Sequence, residues 1–441
     1  MSLRDIVLGI VILVAGLYAL RRAWAGILLW TWISTMSPHR YTWGMLASAP
    51  VAAFSGGVAL LGLAFTKERR SPFIGLPITI FAFFVGWITL SWLMGYDVSE
   101  DYVQWNKCIK IYLMIFVTVA LLQTKEHIMA FAWVLIGSLA ILGAKGGFFT
   151  LTTLGNYRVW GPPGSFISDN NEFALALIMT IPLIYFLQLQ VTKKAWRNVL
   201  NIIILLCAVS AFGSYSRGAL LAIIAMGGVF WWRSPKKGEV AIFIVIISIM
   251  MIPMLPEQWW ARMNTISEYQ ADDSAMGRIN AWGVAWEVAL HNLFGGGMSY
   301  QHQEFFLLYG KYETIVRAAH SIYFQILGNH GFIGLFLFLL LWIITYRDAG
   351  WLRKNACSNP HTLWAAQLGA MAQVSLVGYA VGGAFLSLGY YDLPYNIMAL
   401  VVMAKKWVTS KSKLTEGRLE KPLPRPSLVE LRRSELCRLH R

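Results

Sequence analysis

A chain of 441 residues in which 57% are hydrophobic and only 13% charged is far from the roughly one-quarter charged content of soluble domains, and this excludes a soluble globular enzyme. The formal net charge of +15 would point to nucleic acid in a soluble protein. Here the enrichment of lysine and arginine on the inner side of membrane spans accounts for most of it, and no nucleic-acid partner is needed. No stretch shows the alternation of a transmembrane barrel, so the expected fold class is all-α, a polytopic transmembrane helix bundle of about 12 spans with a large periplasmic segment containing interfacial helices.

Residues 6–20 are long enough for a signal-peptide core, but Arg21 and Arg22 stand where a small-residue cleavage site belongs, so the segment reads as a retained span. The same pair divides the first 36 residues into one broken span or two short ones. Further spans are expected at residues 45–66, 73–94, 108–122, 127–142, 172–191, 198–213, 218–232, 239–255, 321–345, 362–386 and 391–407. Basic clusters around Arg69, Lys125, Lys193, Lys236, Arg353 and Lys405 mark cytoplasmic connections. Alternation then places residues 96–105, 143–171, 214–218, 256–320 and 387–392 on the periplasmic side.

The domain plan is accordingly N-terminal transmembrane helices over 1–255, a periplasmic segment with an amphipathic helix over 256–320, C-terminal transmembrane helices over 321–408, and a basic cytoplasmic tail over 409–441. Within the periplasmic segment Ile279, Trp282, Trp286 and Ala289 or Leu290 recur at helical spacing, as in a helix lying in the membrane interface. The glycine-rich run from Leu293 to Met298 is expected to be a tight turn. Cys108, Cys207, Cys357 and Cys437 show no C-x-x-C spacing and read as neither a disulfide framework nor a metal site.

Arginines on the outer side gain nothing from topogenesis, which makes Arg158, Arg217, Arg262, Arg278 and Arg317 informative, with Arg40 a weaker member of the set. Ser216-Arg217-Gly218 stands where a short outer turn enters a span. A helix N-terminus offers free N–H groups, Gly218 allows close approach, and a guanidinium binds two phosphate oxygens at once; a snorkelling arginine anchoring the helix end reads the same way. Arg278 opens the interfacial helix. Arg158 precedes a rigid Gly161-Pro162-Pro163-Gly164 turn that leads to Asp169 and Asn170 at a span entrance, where a helix N-cap is the plainer role. His320, followed by Ser321, ends the longest break in the apolar sequence, and a neutral imidazole there could take a proton from a hydroxyl. His330, deeper in the same span, reads as a packing residue.

No H-E-x-x-H, Walker A run or nucleophile elbow is present. No Asp/Glu cluster suggests a divalent metal. Outer arginines without a metal site fit an anionic lipid-linked substrate neutralised by side chains.

Three pieces resemble the O-antigen ligase and polymerase superfamily: Ser216-Arg217-Gly218-Ala219-Leu220 opening a span; Gly277-Arg278 and the Trp282 helix, then Asn292-Leu293-Phe294-Gly295-Gly296-Gly297, then His320-Ser321; and Gly331-Phe332-Ile333-Gly334. They cover roughly residues 200–345. Two earlier stretches, from Ser37 to Gly44 and from Gly161 to Asn171, look like an O-glycosylation ligase branch, which favours a ligase over a polymerase and leaves a protein acceptor open.

The resemblance implies a multi-pass protein of the bacterial inner membrane whose active site faces the periplasm. The implied reaction moves a glycan from undecaprenyl diphosphate to a hydroxyl of lipid A-core, completing lipopolysaccharide without metal, nucleotide or other cofactor. The position matched by His320 is the implied base, and those matched by Arg217 and Arg278 bind the diphosphate. Arg158 is expected to assist, with Ser216, Gly218, Asp169, Asn170 and Ser321 in support. The rival readings are an O-antigen polymerase, a protein O-oligosaccharyltransferase and a lipid-linked glycan transporter. The last would place charges deep in several spans, and the middle spans here are nearly free of them.

Overall fold

The computed structural model describes residues 3–233, 237–238, 242, 273–311 and 316–416, without the side chains of Arg217, Arg233, residues 273–275 and residues 412–416. The expected span 239–255, Arg262 and most of the tail lie outside the described residues. Those described form helices and no strand, as a long apolar chain must when lipid leaves its backbone groups to pair within each segment. They are α1 (Leu3–Arg21), α2 (Ala23–Met36), a 3₁₀ turn (Pro38–Tyr41), α3 (Met45–Ser48), α4 (Val51–Phe65), α5 (Leu76–Leu93), α6 (Val98–Leu121) and α7 (Lys125–Thr152). Then come α8 (Asn170–Gln190), α9 (Lys194–Phe212), α10 (Arg217–Arg233), α11 (Asp273–His291), α12 (Gln303–Tyr309), α13 (Ile322–Asn355), α14 (Leu363–Gly382), a 3₁₀ turn (Gly383–Phe385) and α15 (Asp392–Glu416).

Polar residues set many of the starts. Asp97 caps α6 by accepting from the Ser99 and Glu100 amides, Thr124 caps α7 through the His127 amide, and Asp169 caps α8 through the Asn171 amide, each satisfying donors that a helix N-terminus leaves open. Extended backbone at Arg22 splits the first 36 residues into two helices. Seven of the described helices are long and apolar enough to cross a membrane, and residues 23–36, 51–65 and 218–232 form shorter apolar ones. Ile6, Val7, Ile10, Leu13, Val14 and Leu17 stand exposed along α1, an apolar surface that lipid accommodates and water does not. The chain is a multi-pass membrane protein.

The centre of the bundle is α8, packed against α7, α9 and α14. Cys108 and Cys207 are buried free thiols; Cys357 is disulfide-bonded, contrary to the expectation from spacing.

α13 does not run straight. Gly331 has φ 65 and ψ −173, a region open essentially to glycine, and the break frees carbonyls that the helix would otherwise bond. The Gly296 amide donates to the Gly328 carbonyl at 2.8 Å and the Gly297 amide to that of Asn329 at 3.0 Å. The glycine-rich turn is present as expected, and its task is to complete a broken helix. His330 is fully buried in this joint, with Nδ1 2.9 Å from Ser91 Oγ and Nε2 2.6 Å from the Tyr390 hydroxyl.

α11 covers the stretch expected to form an amphipathic helix. Ala281, Val284, Ala285 and Val288 are buried, whereas Ile279, Trp286 and Leu290 are exposed. Small side chains let α11 approach α13 closely, and the large apolar ones are left to face outward, the usual division between helix contact and lipid.

Candidate functional site

The turn before α10 is built by hydrogen bonds to the loop that follows α7. The Val159 amide donates to the Gly213 carbonyl at 3.3 Å, Asn170 Nδ2 donates to the Ser214 carbonyl at 2.6 Å, and the Tyr215 hydroxyl donates to the Gly155 carbonyl. Tyr215 takes a left-handed conformation, φ 58, and the Arg158 guanidinium carbon lies 6.0 Å from the centre of its ring. Ser216 then caps α10, its hydroxyl accepting from the Ala219 amide at 3.2 Å. These contacts bring Arg158, Asn170, Ser216 and the first residue of α10, Arg217, into one neighbourhood; the Arg217 side chain is outside the description. Gly218 admits the Gly383–Phe385 turn, since a Cβ there would lie 3.3 Å from that of Phe385. Its expected close approach is thus made by protein.

His320 reaches the same end of the bundle from the other side. Its φ of 43 is uncommon for a residue with a Cβ, and the flanking residues are fixed: Trp282 Nε1 donates to the Ala319 carbonyl at 2.7 Å, and the Gln325 amide to that of Ser321 at 2.8 Å. The Trp282 ring also stacks on Phe324, 5.0 Å between centres. Ser321 is buried and precedes α13 without a side-chain capping bond, so its contribution is through the backbone. Ile322 packs against Gly383, and the Tyr323 hydroxyl donates to the Ala380 carbonyl at 2.8 Å. The starts of α10 and α13 thereby abut one turn.

The electrostatics join these parts. Burial holds the His320 pKa below the ordinary imidazole value, the positive charges of Arg278 and Arg317 act in the same direction, and the negative charge of Asp169 acts against them. Asp169 is half-buried, which disfavours its charge, but hydrogen bonds from Glu172 and from the Asn171 backbone and side chain, with the influence of His320, bring its pKa below the usual carboxylate value. Arg278, half-buried, acts on both His320 and Glu172. The site therefore offers an imidazole with a depressed pKa within electrostatic range of an arginine and of Asp169.

Of the residues singled out in the sequence, His320, Arg278 and Asp169 are brought within electrostatic range of one another, and Arg158, Asn170, Ser216 and the backbone of Arg217 form the adjoining wall. Asp169 is a helix cap, as its position suggests, and a partner of the site as well. Glu172 and the packing of Arg317 against Gly277 were missed. An acidic residue three places after a capping Asp is a helix-start signature, and that signature hides any second role.

Residues 202–339 match the family model described as O-antigen ligase, a range that holds Arg217, Arg278 and His320. Residues 3–192, which hold Arg158, Asp169 and Glu172, match a family of unknown function. No curated protein matches the chain.

Proposed function

We propose that this chain, which belongs to the O-antigen ligase superfamily through residues 202–339, transfers a glycan from undecaprenyl diphosphate to a sugar hydroxyl of lipid A-core at the periplasmic face of the inner membrane. The observation that carries the reading is a neutral His320 held between Arg278, Arg317 and Asp169. An imidazole in that state accepts a proton near neutral pH. The arginines beside it suit a leaving group that carries its charge on phosphate oxygens.

In this reaction His320 takes the proton of the acceptor hydroxyl as its oxygen forms a bond to the anomeric carbon. The bond from that carbon to the diphosphate breaks, and its electron pair leaves with the diphosphate. Arg217 and Arg278 neutralise the growing negative charge, with Arg158 at the edge of the site, and such preorganised contacts strengthen as the charge develops. One displacement inverts the anomeric centre. The negative charge of Asp169 favours the protonated imidazole; neither Asp169 nor Glu172 is assigned as a nucleophile.

The test is complementation of a deletion strain, read from the lipopolysaccharide gel pattern. The wild-type gene is expected to restore long polymer on the core, and the His320→Ala gene to leave bare core with polymer accumulating on the carrier. Core capped with single repeats in the deletion strain would instead identify a polymerase. Unchanged lipopolysaccharide with a missing glycoprotein would identify a protein acceptor.

A further inference from the structure

A cavity of about 350 Å³ opens between α2, the Pro38–Tyr41 turn, α6, the turn from Gly164 to Ile167 and the start of α15. Arg40, Lys107 and Lys110 line it, with Asp392 as the one carboxylate among the lining residues. None of the three cations forms an ion pair among the described residues. Their placement is specific: the Lys107 ammonium lies 3.9 Å from the centre of the Phe166 ring, and the Arg40 guanidinium lies against Gly164, where a Cβ would sit 3.1 Å from Nη1. The two early motifs of the sequence, from Ser37 to Gly44 and from Gly161 to Asn171, thus meet in one wall.

A separate observation concerns the neutral polar groups of that wall. Thr35 Oγ1, His39 Nδ1 and the Tyr391 hydroxyl are buried and have no hydrogen-bond partner among the described residues, and their residues are only 6%, 7% and 3% exposed. Buried polar atoms are nearly always paired, and each exception calls for an explanation. Burial and the charge of Arg40 hold His39 below the usual imidazole range, so its neutral ring offers one donor and one acceptor. Three cations with one carboxylate complement a ligand rich in acceptor oxygens and carrying negative charge. The volume lies at the small end of ligand-sized cavities, ~300–1,000 Å³, and exceeds what a bare phosphate needs. Trp30 and Phe166 supply aromatic surface for the rest of such a ligand.

We propose that this cavity binds a phosphate monoester carried on a sugar, at a site beside that of His320 and separate from it. Ile167 lines the cavity and Asp169 caps α8 two residues later, so their Cα atoms are at most about 7 Å apart. A phosphorylated sugar held there occupies the place of an acceptor subsite. That role rests on the transfer reading above; the binding does not.

The test is calorimetric titration of the full chain in phosphatidylcholine nanodiscs with glucose 1-phosphate, glucose and inorganic phosphate. Saturable binding of glucose 1-phosphate is expected, about tenfold or more tighter than either of the others. Arg40→Gln and Lys107→Met should each weaken it about tenfold or more, as loss of a charge-assisted hydrogen bond does. Lys107→Arg should retain binding, and His320→Ala should leave it unchanged, which separates this site from the transfer site. Lys110→Gln, at an exposed position, gives the same reading if Lys107→Met fails to fold. No binding by the wild-type chain, full binding by the Arg40 and Lys107 variants, or loss in His320→Ala would overturn the proposal. Inorganic phosphate binding as tightly as glucose 1-phosphate, or phosphatidylglycerol nanodiscs abolishing the sugar phosphate signal, would overturn its sugar part and assign the site to free phosphate or to a lipid headgroup.

Discussion

His320 combines an uncommon backbone conformation with a depressed pKa, and both follow from how it is held. A left-handed φ costs a residue with a Cβ about 1–2 kcal/mol, offset here by the Trp282 bond to Ala319 and the turn that starts α13. Because the base acts in its neutral form and its pKa is held below the ordinary value of about 6.5, transfer is expected to stay on its plateau as pH falls past that value and to decline only below it. Arg278→Gln removes a charge that lowers the pKa, so the acid limb of the pH–rate profile should move to higher pH, apart from any fall in rate. Asp169→Asn removes the charge that raises it while keeping a good helix cap, so the limb should move to lower pH. A limb that stays in place in both variants would remove His320 as the titrating group. His320→Ala should lower transfer by about 10²- to 10⁴-fold, the usual contribution of a positioned base, as measured with purified protein and lipid-linked donor. That His320 and Arg278 stand out was legible in the sequence, because a histidine and an outer arginine break the apolar pattern; the structure brings them within electrostatic range. Glu172 and the second role of Asp169 were not legible. Their place in the site depends on the start of α8 coming within electrostatic range of His320, and some 150 residues of chain separate them.

The elements were legible where apolar runs and a helix-entry signal define them, as at Asp169 and Ser216, and illegible where a polar first turn precedes the apolar run, as in α6 from Val98, or where one element completes another. A lone glycine in a helical pattern gives no sign of a break. Gly331 is a break because Gly296 and Gly297 are present to take the carbonyls it frees. Gly331→Ala therefore meets two penalties, a φ/ψ region costing about 1–3 kcal/mol and a Cβ driven against the Leu293 carbonyl. It should lower the melting temperature in detergent and weaken transfer by displacing α11, which carries Arg278. Asn329 is the polar centre of the same joint: its side chain accepts from the Tyr300 amide at 3.0 Å and donates to the Met298 carbonyl at 2.6 Å and the Tyr390 hydroxyl at 2.8 Å. Asn329→Ala leaves buried groups unpaired and should destabilise by about 2–4 kcal/mol. A melting temperature equal to that of the wild type would show that the joint relaxes around the loss. On α11 periodicity identifies an apolar stripe, and the packing of small against large residues decides which of its members face protein and which face lipid.

Across the whole molecule, the two ends of the bundle have opposite characters, as alternating sides require. The site end gathers the starts of α8, α10, α13 and α15 and the last turn of α14, tied by Asn170 to Ser214, Tyr323 to Ala380 and Gln325 to Gly389. At the other end Gln190 Nε2 donates to Gln367 Oε1 at 2.7 Å, and Lys405 pairs with Asp348 at 2.6 Å. The chain places Lys193, Lys194, Arg353 and Lys354 at that second end, so basic clusters far apart in sequence share one side. By the preference of lysine and arginine for the cytoplasmic side, the site end is expected to face the periplasm. Substituted-cysteine labelling tests this directly, in a background from which the native cysteines have been removed. Cysteines at Arg158 and Arg317, both exposed, should react with a membrane-impermeant maleimide in cells whose outer membrane alone has been opened. Cysteines at Lys194 and Lys354, equally exposed, should react only after the inner membrane is permeabilised. The reverse pattern would place His320 on the cytoplasmic side, away from any acceptor at the outer face, and the proposed reaction would fall with the topology.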